Sequence, residues 1–381
     1  MSVSNCQSYA VRSDKSRLII RSCAALLASL SLIAHGVQAF ENPVSTPAMT
    51  SALAARSPLL AAARAGTRIV AVGLRGDIVY SDDDGKSWKQ ASVPVSTDLV
   101  ALSFSSEKQG WAVGHGGVVV HTSDAGATWV KQMDGARFSA LTLDYYQKMV
   151  ERDPSPEVRH AYERAKALAT DGSTQALLDV HFDSDTSGFV VGTFNRIFRT
   201  EDGGKTWTPW MERSENPREL HFYSIRSDGA RTLLTGEQGI VWLIDSAKQR
   251  LVPMQTPYKG TLFGSVLAGS NIFVFGMRGT IFRSSDGGKS WDRVSAPGEA
   301  GITGGVALDA GGSRLLLVNQ AGFALYSRDS GKTFEAVKFR HPMPYFGVGA
   351  GLQRELTLVG PLGVQVESLS LLGDASGNSA K

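Results

Sequence analysis

One eight-residue turn of pattern [ST]-x-D-x-G-x-[ST]-[WF] occurs five times in this chain, and an apolar-Gly-x-x-Gly turn occurs seven times in strict or looser form. Both recur at nearly constant spacing, which predicts an all-β chain: a single seven-bladed β-propeller with a helical-hairpin insertion between blades 2 and 3. With the first Gly slot as a marker, the units fall at 73, 114, 192, 236, 276, 319 and 360, in steps of 40 to 44 residues and one of 78. Four short strands and their turns need about 40 residues. Each regular step is therefore one blade, and the long step is a blade plus an insertion.

The eight-residue turn is justified position by position. Its copies are Ser81 to Trp88, Thr122 to Trp129, Thr200 to Trp207, Ser284 to Trp291 and Ser327 to Phe334. The carboxylates of Asp83, Asp124, Asp202, Asp286 and Asp329 can accept backbone N–H groups of their own turns, while the Gly takes a positive φ. The closing Trp88, Trp129, Trp207, Trp291 and Phe334 bring large apolar surfaces to the start of the next strand, where they act as core wedges. The pattern resembles the Asp-box, or BNR repeat, of β-propellers. It implies architecture and carries no chemistry of its own.

Taken from the start, residues 1–39 read as a secretory signal. Arg12, Lys15, Arg17 and Arg21 are its basic start, Cys23 to Ala34 its apolar run, and Val37-Gln38-Ala39 its cleavage site. The expectation is an exported chain, periplasmic or secreted, cut near Ala39, with no transmembrane segment after cleavage. Removing the leader's four basic residues and one acid from 39 and 36 leaves 35 of each, so the net charge of +3 falls to zero. Nothing then argues for a nucleic-acid partner. Both cysteines lie in the leader, and the exported chain has none to pair.

The propeller is expected over 40–370. In its second unit, Leu99 to Phe104, Trp111 to Gly114, Val118 to Thr122 and Thr128 to Gln132 alternate as four strands. The fourth and seventh units lack the Asp turn, and the seventh also lacks an outer strand, which Phe40 to Met49 is expected to supply. The insertion, 136–174, reads as two helices. One shows Phe138, Leu141, Tyr145 and Met149 on a single face; the other has Ser155 as N-cap, Pro156 at its first position, an apolar face from Val158 to Ala169, and a stop at Gly172. The polar tail, 371–381, is expected to be disordered.

Strand order fixes which face each turn occupies. The Asp turns join third and fourth strands, so they share one face; the Gly-x-x-Gly turns, the connections between blades and the insertion share the other. That second face collects Arg75, His115, Asn195, Arg196, Glu237, Gln238, Arg278 and Gln320, a varied set suited to recognising a partner. Trp111 and Trp242 are expected in the core, and Trp210 at the surface. The acids of the Asp turns hold turns on the wrong face to be catalytic.

Catalytic and metal chemistry find little purchase, and no catalytic residue, cofactor or metal is nominated. Asp82-Asp83-Asp84-Gly85 starts like a calcium loop, but Val93 stands where the bidentate Glu belongs. A sialidase would carry an Arg-Ile-Pro motif early, and the nearest match is Arg196-Ile197-Phe198 in the third unit. Carbohydrate binding or glycoside hydrolysis of the Asp-box class stays as the alternative. The unit Gly110-Trp111-Ala112-Val113-Gly114, then Gly117, then Thr122 to Trp129, repeated after an export signal, resembles the photosystem II stability and assembly factor family and its non-photosynthetic bacterial relatives. The resemblance runs from about Ala54 to Leu369. It implies a non-enzymatic seven-bladed propeller that scaffolds or assembles a membrane-protein complex, with an envelope membrane complex as the expected partner. The arginine-rich face of that family is echoed only by Arg75, Arg196 and Arg278.

Overall fold

A computed structural model describes residues 41–171, 175–350 and 355–372. The leader with its cleavage site, Gly172 and residues 373–381 lie outside the described residues. Seven antiparallel sheets follow one another along the chain. The first holds β1 (Leu59–Ala65), β2 (Arg68–Gly73), β3 (Ile78–Ser81) and β4 (Lys89–Gln90). The second holds β5 (Leu99–Phe104), β6 (Gly110–Gly114), β7 (Val119–Thr122) and β8 (Val130–Met133). The third holds β9 (Leu177–Phe182), β10 (Gly188–Gly192), β11 (Ile197–Thr200) and β12 (Thr208–Pro209).

The fourth contains β13 (Phe222–Ser227), β14 (Thr232–Gly236), β15 (Ile240–Asp245) and β16 (Arg250–Gln255); the fifth contains β17 (Leu262–Ala268), β18 (Asn271–Gly276), β19 (Ile281–Ser284) and β20 (Asp292–Arg293). The sixth contains β21 (Ile302–Ala307), β22 (Leu315–Asn319), β23 (Ala324–Ser327) and β24 (Glu335–Val337), and the seventh β25 (Gly347–Ala350), β26 (Glu355–Gly360) and β27 (Gly363–Ser368). Each inner strand packs beside the next, and β1 packs beside β25, which closes the ring. The chain is a seven-bladed propeller. Two helices, α1 (Gly135–Val150) and α2 (Pro156–Asp171), stand between blades 2 and 3 as a hairpin.

Middle strands read as unbroken apolar runs because both faces of a blade are covered by its neighbours. Every residue of β6, β10 and β18 is buried. Aromatic rings lock adjacent blades: Trp111 stacks on Phe182 across blades 2 and 3 with centroids 3.5 Å apart and planes 3° from parallel. Trp129, Trp207, Trp291 and Phe334 are buried, and Trp88 is half-buried.

The Gly-x-x-Gly turn needs its two glycines for different reasons. Gly114 has extended backbone (φ −175°), but a Cβ there would sit 1.9 Å from the Asp98 carbonyl of the preceding connection. That closeness lets His115 N–H donate to the Asp98 carbonyl at 2.9 Å, and the same bond recurs from Leu74, Thr193, Met277 and Gln320 to their own connections. Gly117 instead adopts φ +65°, the left-handed region that side chains resist.

Four details differ from the sequence reading. Val44 and Ala48 pack on the core of blades 1 and 2; Ala48 N–H donates to the Val93 carbonyl and the Lys131 ammonium to the Val44 carbonyl. The leading segment is therefore not the outer strand of blade 7, which has three strands among the described residues. Bare Gly116 and Gly76 offer Val44 and Ala48 sites that side chains would have filled. On α1 the buried positions are Gly135, Phe138, Ser139, Thr142 and Tyr146, one residue round from the expected stripe, because the helix packs against both blade 3 and α2. Its N-cap is Asp134, whose carboxylate accepts from Arg137 N–H at 3.1 Å. Finally, Trp210 is 2% exposed, lying edge-on to Phe189 beneath the Arg199 and Arg213 guanidinium groups. Leu371 and Leu372 belong to a short 3-10 turn.

Candidate partner-binding face

The Asp turns are closed systems. In the second, Thr122 Oγ1 donates to Asp124 Oδ1 at 2.8 Å, Thr128 Oγ1 to Asp124 Oδ2 at 2.7 Å, Gly126 N–H to Thr122 Oγ1 at 2.9 Å, and the Trp129 indole to the Gly126 carbonyl at 3.0 Å. These donors hold the carboxylates down. Asp83 falls to about 2, chiefly through the Ser87 hydroxyl; Asp329 also falls to about 2, where burial works upward but the Thr333 donors outweigh it. Asp286 falls below the usual carboxylate range through Ser290, and Asp124 and Asp202 are lowered against burial by Thr128 and Thr206. Their bonds are spent within the turn.

The opposite face is open. Arg75, His115, Arg278 and Gln320 are exposed, while Glu237 and Gln238 are half-buried. Asp98 links the first two: it accepts Arg75 N–H at 2.9 Å and lies 3.4 Å from His115 Nδ1. Glu237 accepts His221 N–H at 2.9 Å, and Gln238 accepts from Arg218. Asn195 and Arg196 are buried at 8% and 3% exposure, which corrects their place on a contact surface. Asn195 occupies the second Gly slot, at φ +60°, a conformation that Asn tolerates better than most side chains. Its amide donates to the Met211 carbonyl and its oxygen accepts from Asn216. Arg196 donates to Gln175 at 2.6 Å, and burial pulls its guanidinium down to about 10.

The solvent-facing residue of that third turn is Phe194, at the position of Arg75, Gln238 and Arg278, with the same left-handed backbone and 49% exposure. Aligning the turns by their second Gly slot identifies it from sequence. Met277 and Leu362, at 43% and 65%, are further exposed apolar residues in these turns.

A second feature carries no sequence motif. Each inner strand from blade 1 to blade 6 has a bulge between its first and third residues. A bulge re-aims the side chain it leaves unpaired. The residues concerned are Leu60, Val100, Leu178, Tyr223, Phe263 and Thr303, with Phe346 just ahead of β25, and all seven are half-buried. They lie where the inner strands begin, around the axis on the Gly-x-x-Gly face. Tyr223 and Phe263 meet edge-on at 5.8 Å, and Thr303 donates to the Tyr345 carbonyl at 2.7 Å. Burial, with Glu237 adding to it, pushes the Tyr223 hydroxyl upward.

Beside this ring, α1, α2, the β10–β11 turn and the loop from β12 to β13 enclose a cleft of about 530 Å3. Three of its four acids are already engaged; the fourth, Glu157, is exposed on the first turn of α2. Glu212 accepts from Tyr146 at 2.6 Å and Arg213 at 2.9 Å; Glu219 pairs with Arg164 at 2.7 Å and His160 at 3.1 Å; Glu215 pairs with Arg250 at 2.9 Å. Burial first, and the Glu212 carboxylate second, drive the Tyr146 hydroxyl well upward. Among the described residues there is no cluster of three His, Cys, Asp or Glu side chains able to hold a metal, and no helix long and apolar enough to cross a membrane.

Fold and face together define a class: an Asp-box propeller with one face of closed turns and one of varied, open turns. Within that class it resembles the photosystem II assembly factors. The family described as "Photosynthesis system II assembly factor YCF48" matches residues 60–138 and 161–252, an interruption that falls on the helical hairpin. The chloroplastic photosystem II stability/assembly factor HCF136 of Arabidopsis thaliana is 25% identical over 260 residues, covering 59% of this chain and 64% of that protein. The photosystem II assembly lipoprotein Ycf48 of Synechococcus is 28% identical over 134 residues, covering 32% and 38%. The match thus spans less than two thirds of these relatives. Among solved structures, "YCF48 bound to D1 peptide" superposes with a TM-score of 0.61 at 16% identity, covering 84% of this chain and 98% of that one. YCF48 from Cyanidioschyzon merolae gives 0.61 at 14%, covering 82% and 95%. These likenesses establish the fold.

Proposed function

We propose that this chain is an exported, non-enzymatic propeller that assists assembly or stability of an envelope membrane-protein complex by holding an extended polypeptide segment of that complex on its Gly-x-x-Gly face. The observation that carries this reading is the half-exposed, mostly apolar ring from Leu60 to Phe346, six of its seven residues set at bulges, surrounded by turns that differ from blade to blade. Apolar contacts at the centre with polar groups at the rim are the anatomy of a protein interface. The relatives named as assembly factors support the same reading, and one solved relative is described as bound to a peptide. Arg75, His115, Glu237, Gln238, Arg278 and Gln320 would form the rim, and the leader in 1–39 would deliver the chain outside the cytoplasm.

The test is crosslinking capture from the native envelope. Wild-type protein should retain one membrane-protein partner, and the double variant Tyr223→Ala with Phe263→Ala should lose it while melting cooperatively. Equal capture by both, or turnover of aryl glycosides by the purified protein, would sink the reading.

A further inference from the structure

We propose that the cleft beneath the helical hairpin is an anchor pocket for one bulky apolar side chain of the polypeptide that lies across the axis; this rests on the reading above. Ala161, Ala165 and Leu168 of α2, with Phe198 and Met211, supply its apolar lining. Most charged groups at its rim are engaged with one another, as Glu219 with Arg164 and His160 and Glu215 with Arg250, so the surface left to a ligand is mostly apolar, with Glu157 at its exposed edge. Buried Ser139 Oγ, in the cleft wall, has no hydrogen-bond partner among the described residues and can serve one backbone group of an entering residue.

Continuity identifies the occupant. Phe194 lines the cleft and also reaches solvent; its ring meets His221 edge-on at 4.6 Å, His221 lies 6.2 Å from Tyr223, and Tyr223 lies 5.8 Å from Phe263. An unbroken aromatic path therefore joins the central ring to the cleft. From Tyr223 to Phe194 it runs roughly 11 Å along the ring centroids, about three residues of extended chain. A fatty acid would use the cleft without the path, and a flat protein surface the path without the cleft. An extended segment with an apolar anchor uses both. The far wall is held in place for it: Glu215 and Glu219 have left-handed backbone, at φ +48° and +52°, and both are fixed by their ion pairs.

The experiment selects random dodecapeptides on the purified full chain and measures the winners, made with fluorescein, by anisotropy. Winners should share one bulky apolar residue, and Leu168→Trp, which fills the cleft, should weaken them roughly tenfold, equivalent to about 1.4 kcal/mol. Benzophenone placed at that residue should label Met211 or α2. Ala161→Met repeats the test if Leu168→Trp fails to fold. If filling the cleft changes nothing but Tyr223→Ala with Phe263→Ala abolishes binding, the anchor is wrong and the face reading stands. If neither variant matters, both fall. Tight binding of cis-parinaric acid that the peptides do not displace gives the cleft to a lipid and overturns the anchor.

Discussion

The two turns that alternate around this disc differ in where they spend their side chains. The Asp turn uses an acid, two hydroxyls and an indole to bond itself, as Asp124, Thr122, Thr128 and Trp129 show. The Gly-x-x-Gly turn is shaped mainly by its backbone, through close approach at Gly114 and left-handed φ at Gly117, and most of its middle side chains are left free to vary from blade to blade. One face is consequently repetitive and closed, the other varied and open. A recognition surface can diverge only where the fold does not need the side chain.

The largest effect expected from breaking this contrast is in the layer both turns serve. Trp111→Ala removes the ring stacked on Phe182 and should cost about 3–5 kcal/mol in urea unfolding. Next, Gly114→Ala drives a Cβ against the Asp98 carbonyl and should cost about 1–3 kcal/mol, although alanine readily adopts that φ. Asn195 gives a finer test. Asn195→Gly keeps the left-handed turn and loses only hydrogen bonds, so it should cost about 1 kcal/mol, whereas Asn195→Ala should cost more. Smallest is Arg278→Ala, within about 0.5 kcal/mol of wild type in stability, but weaker in partner capture. Equal stability losses at Asn195 and Arg278 would erase the distinction drawn between buried and open positions.

Acid sharpens the same comparison. A carboxylate whose folded pKa lies below its unfolded value of about 3.9 contributes stability above that value and loses it as pH falls through the folded pKa. For Asp83 and Asp329, both near 2, the window runs from about pH 4 down to about pH 2. The unfolding midpoint in urea should be insensitive to these turns above pH 5 and drop steeply below 4. Asp124→Asn should flatten that drop and leave partner capture unchanged.

Part of this was written plainly in the sequence. Asp turns and paired glycines announce blades because their chemistry is local: the bonds and the φ angles they require lie within a few residues. The hairpin at 136–174 declares itself by helical spacing for the same reason. What the spacing misjudged depends on neighbours distant in sequence. Asn195 and Phe194 are adjacent, yet one is buried and the other exposed, because the loop ending at Leu220 covers the first. Tyr146 rather than Tyr145 is buried because Glu212 lies 66 residues away at its hydroxyl.

By itself, then, the sequence determined the number of blades, the two kinds of turn and the face on which the insertion emerges, since each follows from strand order and local geometry. Only the tertiary structure decided where Val44 and Ala48 dock, which turn residues reach solvent, how six unremarkable bulges gather around one axis, and that α1 and α2 enclose a cleft. Those depend on distances across blades, and apolar packing records no partner in the chain itself.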